Sequence, residues 1–170
     1  MLQRAHQFHS ALLTRQDSAV DARLRQLLGD EAQWELLARL APYDRAHHLA
    51  VYNRLVEQGH SAPDLLRAAL LHDIGKADAR SRVRLLHRVA IVVLRSVCPG
   101  ALRRINRDTM PGLFHGLYLA QHHARLGSAL AQSVGCTART CALIALHERR
   151  DDVGDAELSA LIAADERPLR

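Results

Sequence analysis

An apolar run that stops on a charged pair constrains this chain more than any other feature. Leu65-Leu66-Arg67-Ala68-Ala69-Leu70-Leu71 reads as a buried helix, and it closes on His72-Asp73, followed by Gly75 as a helix breaker and Lys76. Ionisable groups at the end of a core helix are costly unless something neutralises and ligates them. An adjacent imidazole and carboxylate can bind one divalent ion from two directions, or the carboxylate can bridge a pair of ions. For an isolated His-Asp pair, a capping histidine and a surface aspartate would be the simpler reading. Residues elsewhere in the chain argue against it.

His47 lies 25 residues before His72 and shares a helical stripe with Val51 and Leu55, which points it toward apolar packing. His123 follows Asp73 by 50 residues, His147 comes 24 residues later, and Asp165 stands 18 beyond that. Each sits at or near the end of an apolar helical run. Singly, none is persuasive.

Together they resemble the HD-domain superfamily of metal-dependent phosphohydrolases, whose pattern is a His, a His-Asp pair and a distal Asp on separate helices. The resemblance spans about Asp44 to Asp165, and Ala-Ala-Leu-Leu-His-Asp-Ile-Gly-Lys is its most specific piece. It implies that His47, His72, Asp73 and Asp165 hold a first metal ion. The family's His-x-x-x-Val motif fits His47 to Val51, which leaves His48 as a non-ligand neighbour. His123 and His147 resemble the extra histidines of dinuclear members such as bacterial diadenosine-tetraphosphate hydrolases and HD-GYP proteins. His123 precedes Gly127 by four residues, as in those relatives, with His122 the runner-up. The implied fold is all-α, a single HD-type helical domain over residues 41–170. Residues 1–40 are expected to be a helical extension packed on it, or a homodimer contact.

Phosphate ester hydrolysis needs a nucleophile at neutral pH and a means of neutralising developing negative charge, and a metal ion supplies both. Mixed imidazole and carboxylate ligands suit one or two divalent transition ions (Fe, Mn, Co, Ni or Zn), not Mg or Ca. The implied activity is hydrolysis of a phosphomonoester or phosphoanhydride bond in a small phosphorylated substrate, a nucleotide, through a metal-bound hydroxide. Asp73 and Lys76 are the expected catalytic residues, Lys76 as a phosphate contact or, in the alternative, as helix C-terminal charge compensation. A nucleotide-sensing module without turnover uses the same residues. A cyclic-dinucleotide phosphodiesterase is disfavoured because no Gly-Tyr-Pro follows in an HD-GYP-like context. Arg80, Arg82, Arg84 and Arg88 either grip phosphate or form a solvated helix face. His87 and His115 are packed or rim histidines unless they reach the site, and His6, His9 and His60 read as surface residues.

Helices are expected near 2–15, 18–28, 31–40, 44–58, 62–73, 78–97, 101–107, 113–133, 138–150 and 155–165, with Thr137 and Asp155 as N-caps. The basic segment 77–121 contains Met110-Pro111-Gly112, a candidate hinge for a lid. With 170 residues and 48% hydrophobic content, one domain with an ample core is expected. Cys98, Cys136 and Cys141 form no even framework, so a reducing cytoplasm is the expected location. A net charge of +5 suits anionic substrates, while six aromatics without basic interleaving make a nucleic-acid partner unexpected. The strongest apolar run, Val89 to Leu94, is too short to span a membrane, and no membrane partner is expected.

Overall fold

Helix starts along this chain are marked by prolines and short polar side chains, and the folded chain uses them. Pro42 and Pro63 occupy first-turn positions, where the missing N–H costs nothing. Asp30, Thr137 and Asp155 accept hydrogen bonds from the backbone N–H groups of Gln33, Thr140 and Leu158. The computed structural model describes residues 18–97, 100, 112–149 and 154–167. The expected helices at 2–15 and 101–107, the hinge at Met110 and Pro111, His6, His9, Cys98 and the side chain of Arg88 lie outside the described residues.

The chain is an all-α single domain. Its helices are α1 (Ser18–Leu28), α2 (Glu31–Ala38), α3 (Pro42–Glu57), α4 (Pro63–Leu71), α5 (Leu85–Val97), α6 (Leu113–Ser133), α7 (Ala138–Leu146) and α8 (Ala156–Asp165), with a 3-10 turn, Ile74–Lys76, after α4. Among the described residues, the only β-type pairing is an isolated antiparallel bridge between Ala77 and Arg82. That bridge corrects the helix expected from residue 78. The Asp78 carboxylate accepts from the N–H groups of Arg80 and Ser81, both at 2.8 Å, and Val83 N–H donates to the Lys76 carbonyl at 2.7 Å. Local side-chain bonding of this kind competes with helix, so the helix is delayed to Leu85.

One core joins the N-terminal helices to the rest. Leu24, Leu28, Leu37 and Leu40 pack in the same buried cluster as Val51, Leu55, Leu65, Leu71, Ile144, Leu158 and Leu161. Two arginines fix that union. Arg45 donates to both carboxylate oxygens of Asp21 (2.7 and 2.9 Å) and to the Leu40 carbonyl (2.6 Å). Arg67 donates to the Leu28 carbonyl (2.7 Å), satisfying one of the last carbonyls of α1.

The helices that carry the candidate ligands are tied at their opposite ends. Asp64, at the start of α4, accepts from the hydroxyls of Thr137 and Thr140 at the start of α7, and these bonds hold its carboxyl below its ordinary value. Arg139 of α7 forks onto both oxygens of Asp155 (2.7 and 2.8 Å) and onto Glu157 (2.6 and 2.8 Å) at the start of α8. With α4 and α7 both nine residues long, clasped N-termini bring their C-termini to the same level. His72 and His147 are the C-caps there, with ring centroids 5.2 Å apart.

Candidate metal centre

The centre forms where α4 and α7 end, flanked by α3, α6 and the end of α8. His72, Asp73, His123 and His147 are all buried, whereas His47 and Asp165 are partly exposed. His123 projects from α6, which passes backbone-to-backbone over the 3-10 turn. A Cβ on Gly75 would fall 2.6 Å from the Gly127 nitrogen and closer still to the His123 carbonyl oxygen, so only glycine fits there.

Three histidines present the same nitrogen for the same reason. Nδ1 of His72 lies 2.9 Å from the Ala69 carbonyl, Nδ1 of His123 lies 3.1 Å from Ala120, and Nδ1 of His147 lies 2.7 Å from Ile144. A carbonyl oxygen only accepts, so each Nδ1 carries a proton and each Nε2 is the nitrogen turned toward the centre. Each of these bonds spans three residues back along the chain, so local helical geometry alone sets the tautomer and aims the ring.

Asp73 stands between two groups of donors. Its Oδ2 faces His72 Nε2 at 3.5 Å and pairs with the Lys76 ammonium, while its Oδ1 faces His123 Nε2 at 3.1 Å and His147 Nε2 at 3.4 Å. On the first side, Asp165 Oδ1 lies 2.6 Å from His47 Nε2 and 3.3 Å from His72 Nε2. Donor atoms of His47, His72 and Asp73 lie within 4.8 Å of one another, as do those of Asp73, His123 and His147. Two ligand atoms about 2.1 Å from one ion stand at most about 4.2 Å apart, so each group is within a small side-chain adjustment of a common ion.

The residues fit such an ion on chemical grounds too. Asp73 Oδ1 and His72 Nε2 are buried and make no aligned hydrogen bond among the described residues, which is costly for buried polar atoms. Burial alone would lower the His72 imidazolium, but the carboxylates of Asp73 and Asp165 outweigh it and raise its pKa to about 9. Burial would raise Asp73 and Asp165. Instead Lys76 and His72 hold the Asp73 carboxyl well below its ordinary value, and His72 and His47 do the same for Asp165. These groups could hold a metal ion.

His48 is the most deeply placed neighbour. Its ring stacks on His72 at 4.4 Å and 22°, and its Nδ1 bonds the Leu70 carbonyl at 2.7 Å. Burial pushes its imidazole well below the ordinary value, so it stays neutral and backs the His72 ring. His122 turns away from the centre, its ring 4.7 Å from Tyr118. His87 and His115 are buried outside the centre. His87 Nδ1 accepts from the Arg84 N–H at 2.7 Å, and His115 Nε2 bonds Asp78 at 2.6 Å. His60 is half-buried.

A cavity of about 120 Å³ opens onto the centre, lined by Asp73, Lys76, His123, His147, Glu148, Arg149, Ile162, Asp165 and Glu166. Arg80, Arg82 and Arg84, read as phosphate grips or as a solvated face, are exposed and do not line it. Arg149 does, and Glu148 reaches within 3.6 Å of His123 Nε2. Both were missed because Glu148-Arg149-Arg150 looks like any charged helix end. Their adjacency to His147 was the one available signal. No known protein family, curated protein or solved structure matches the chain.

Proposed function

We propose that this chain is a metal-dependent phosphohydrolase of the HD type, acting on a phosphomonoester or phosphoanhydride bond in a nucleotide. The observation that carries the reading is the sharing of Asp73: one carboxylate oxygen faces the His47, His72 and Asp165 side, and the other faces His123 and His147. A carboxylate so placed is suited to a pair of ions, and the His-x-x-x-Val and His-Asp motifs are those of the resemblance stated above. Bound there, divalent transition ions would acidify water and act as Lewis acids toward a phosphoryl oxygen.

The chain's own residues supply the remaining work. His72, His123 and His147 are held in one tautomer by backbone carbonyls, so no reorientation is needed on loading. Lys76 and Arg149 are the cationic side chains lining the cavity, and they are placed to bind a phosphate that enters it. Among the lining residues Ile162 alone is apolar, so this pocket reads the phosphoryl end of a substrate and not a base.

The test pairs metal analysis of freshly purified protein with a screen of phosphomonoesters, nucleotides and dinucleoside polyphosphates. Transition metal in the protein, turnover abolished by chelator and turnover restored by Mn, Co, Ni or Fe is the expected result. Metal-replete protein that binds a nucleotide tightly and hydrolyses none of these would overturn the enzyme in favour of a sensing module.

A further inference from the structure

Helix α5 presents a large apolar face that nothing in the proposed chemistry uses. Among the described residues, seven large hydrophobic side chains are exposed, and five of them lie on α5: Leu86, Val89, Val92, Val93 and Val97, the last two 51% and 77% exposed. Phe114, at the start of α6, is the sixth. The helix is amphipathic, and among the described residues its packed side is Ile91 on Leu117 with Ala90, Leu94 and Ala120. Such a helix in a water-facing position calls for a covering partner.

The charge around it says what kind. Between Asp78 and Asp108 the sequence holds eight arginines and no acidic residue, and Arg82 and Arg84, just before α5, are exposed. A second copy of the chain would bring like charge against like charge. Nucleic acid would meet the arginines but not the valines. An anionic lipid surface meets both, with phosphate headgroups on the guanidinium groups and acyl chains on the apolar face. Spanning is excluded for this helix, because 13 residues reach only about 20 Å.

We propose that α5 is an interfacial anchor that docks the protein, apolar face down, on a bilayer rich in anionic phospholipid. Because α5 packs on the N-terminal half of α6, and α6 carries His123 three residues beyond Ala120, docking sets the centre near the lipid surface. The proposal does not depend on the activity proposed above, since neither metal nor turnover enters it.

The test is flotation of the full-length protein with vesicles of phosphatidylcholine alone, or mixed equally with phosphatidylglycerol. Binding to the mixed vesicles is expected, weaker by at least about tenfold on neutral ones and in high salt. Val93→Ser with Val97→Ser should lower binding to mixed vesicles by at least about tenfold, with helical circular dichroism and metal content kept. If that pair fails to fold, Val97→Ser alone, at the exposed last turn, should still weaken binding severalfold, and Arg82→Glu with Arg84→Glu should do so at low salt. No flotation with mixed vesicles overturns the proposal. So does flotation indifferent to the valine changes, or a dimer in light scattering that those changes dissociate while vesicles bind nothing.

Discussion

The α-carbon of Gly75 lies so close under the His123 carbonyl that a methyl group between them has no room. That contact sets how near α6 can come to the turn after His72-Asp73, and so whether His123 Nε2 reaches Asp73 Oδ1 at 3.1 Å. Gly75→Ala is expected to destabilise the protein by about 3 kcal/mol through overpacking against backbone, and to lower metal content with it. Gly127→Ala, whose Cβ would stand 3.1 Å from the Gly75 nitrogen, should cost less. Urea melts and elemental analysis of both variants check this. Wild-type stability and metal in Gly75→Ala would show that α6 can shift freely.

Loss of metal should follow the two sides of Asp73. His123→Ala or His147→Ala is expected to leave about one ion per chain where the wild type holds about two. Asp73→Ala should empty both positions, because each group includes it. Mass spectrometry of the purified variants gives the stoichiometry directly. Two ions retained in His123→Ala would remove that histidine from the ligand set.

The pH dependence is set by His72, whose pKa rises from the ordinary 6.5 to about 9 in the fold. A raised pKa means that the metal-free folded state binds the proton more tightly than the unfolded chain. This contribution to stability is fully present below pH 6.5 and is lost as pH rises through about 9. Thermal melts of chelated protein should therefore fall in this upper window. Metal competes for the same Nε2, so metal uptake should release protons and its apparent affinity should weaken as pH drops below 9. Calorimetry in buffers of different ionisation enthalpy measures the proton count. A count of zero at pH 7 would contradict it.

Asp21 and Arg45 join the N-terminal helices to the ligand-bearing ones. Asp21→Ala leaves the Arg45 guanidinium, 6% exposed, with only the Leu40 carbonyl of its three described acceptors. A cost of about 3 kcal/mol is expected, since breaking a buried pair from one side strands the other charge. The double change Asp21→Ala with Arg45→Met should recover part of it. Equal melts for wild type and Asp21→Ala would mean that α1 is not anchored through this pair.

Lys76 pairs with Asp73 and lines the cavity. Lys76→Ala is expected to reduce kcat/KM by about 2–4 kcal/mol, as for removal of a preorganised contact to developing charge, with the fold and most of the metal kept. Steady-state kinetics on whichever phosphate ester the screen identifies will decide. An unchanged kcat/KM would assign Lys76 to holding the Asp73 carboxylate.

Most of the helical framework was readable because its signals are local. Pro63, Thr137 and Asp155 start helices where their short-range chemistry says they should, whereas Pro42, read as a break before a helix at 44, is itself the first residue of that helix. The misreading at residue 78 came from the same source, since Asp78 bonds the N–H groups of Arg80 and Ser81 and holds the chain in a turn that hydrophobic periodicity cannot detect. His47 and His48 show the limit of stripe arguments. The stripe through Val51 and Leu55 points His47 inward, yet His48 is the fully buried one and His47 stays partly exposed beside Asp165.

The sequence by itself determined the helices, the identity of the ligand-type residues and the end of α4 on His72-Asp73, because helix starts, breakers and apolar runs act over a few neighbouring residues. Only the tertiary structure decided that His47 meets Asp165 across 118 positions, that Asp73 faces histidines from both sides, that Arg149 and Glu148 enter the cavity while Arg80, Arg82 and Arg84 do not, and that apolar side chains of α5 are exposed among the described residues. Convergence of this kind depends on helix lengths and on clasps such as Asp64 to Thr137 and Arg139 to Asp155 acting together. Such clasps join residues far apart in the chain, and no local pattern encodes them.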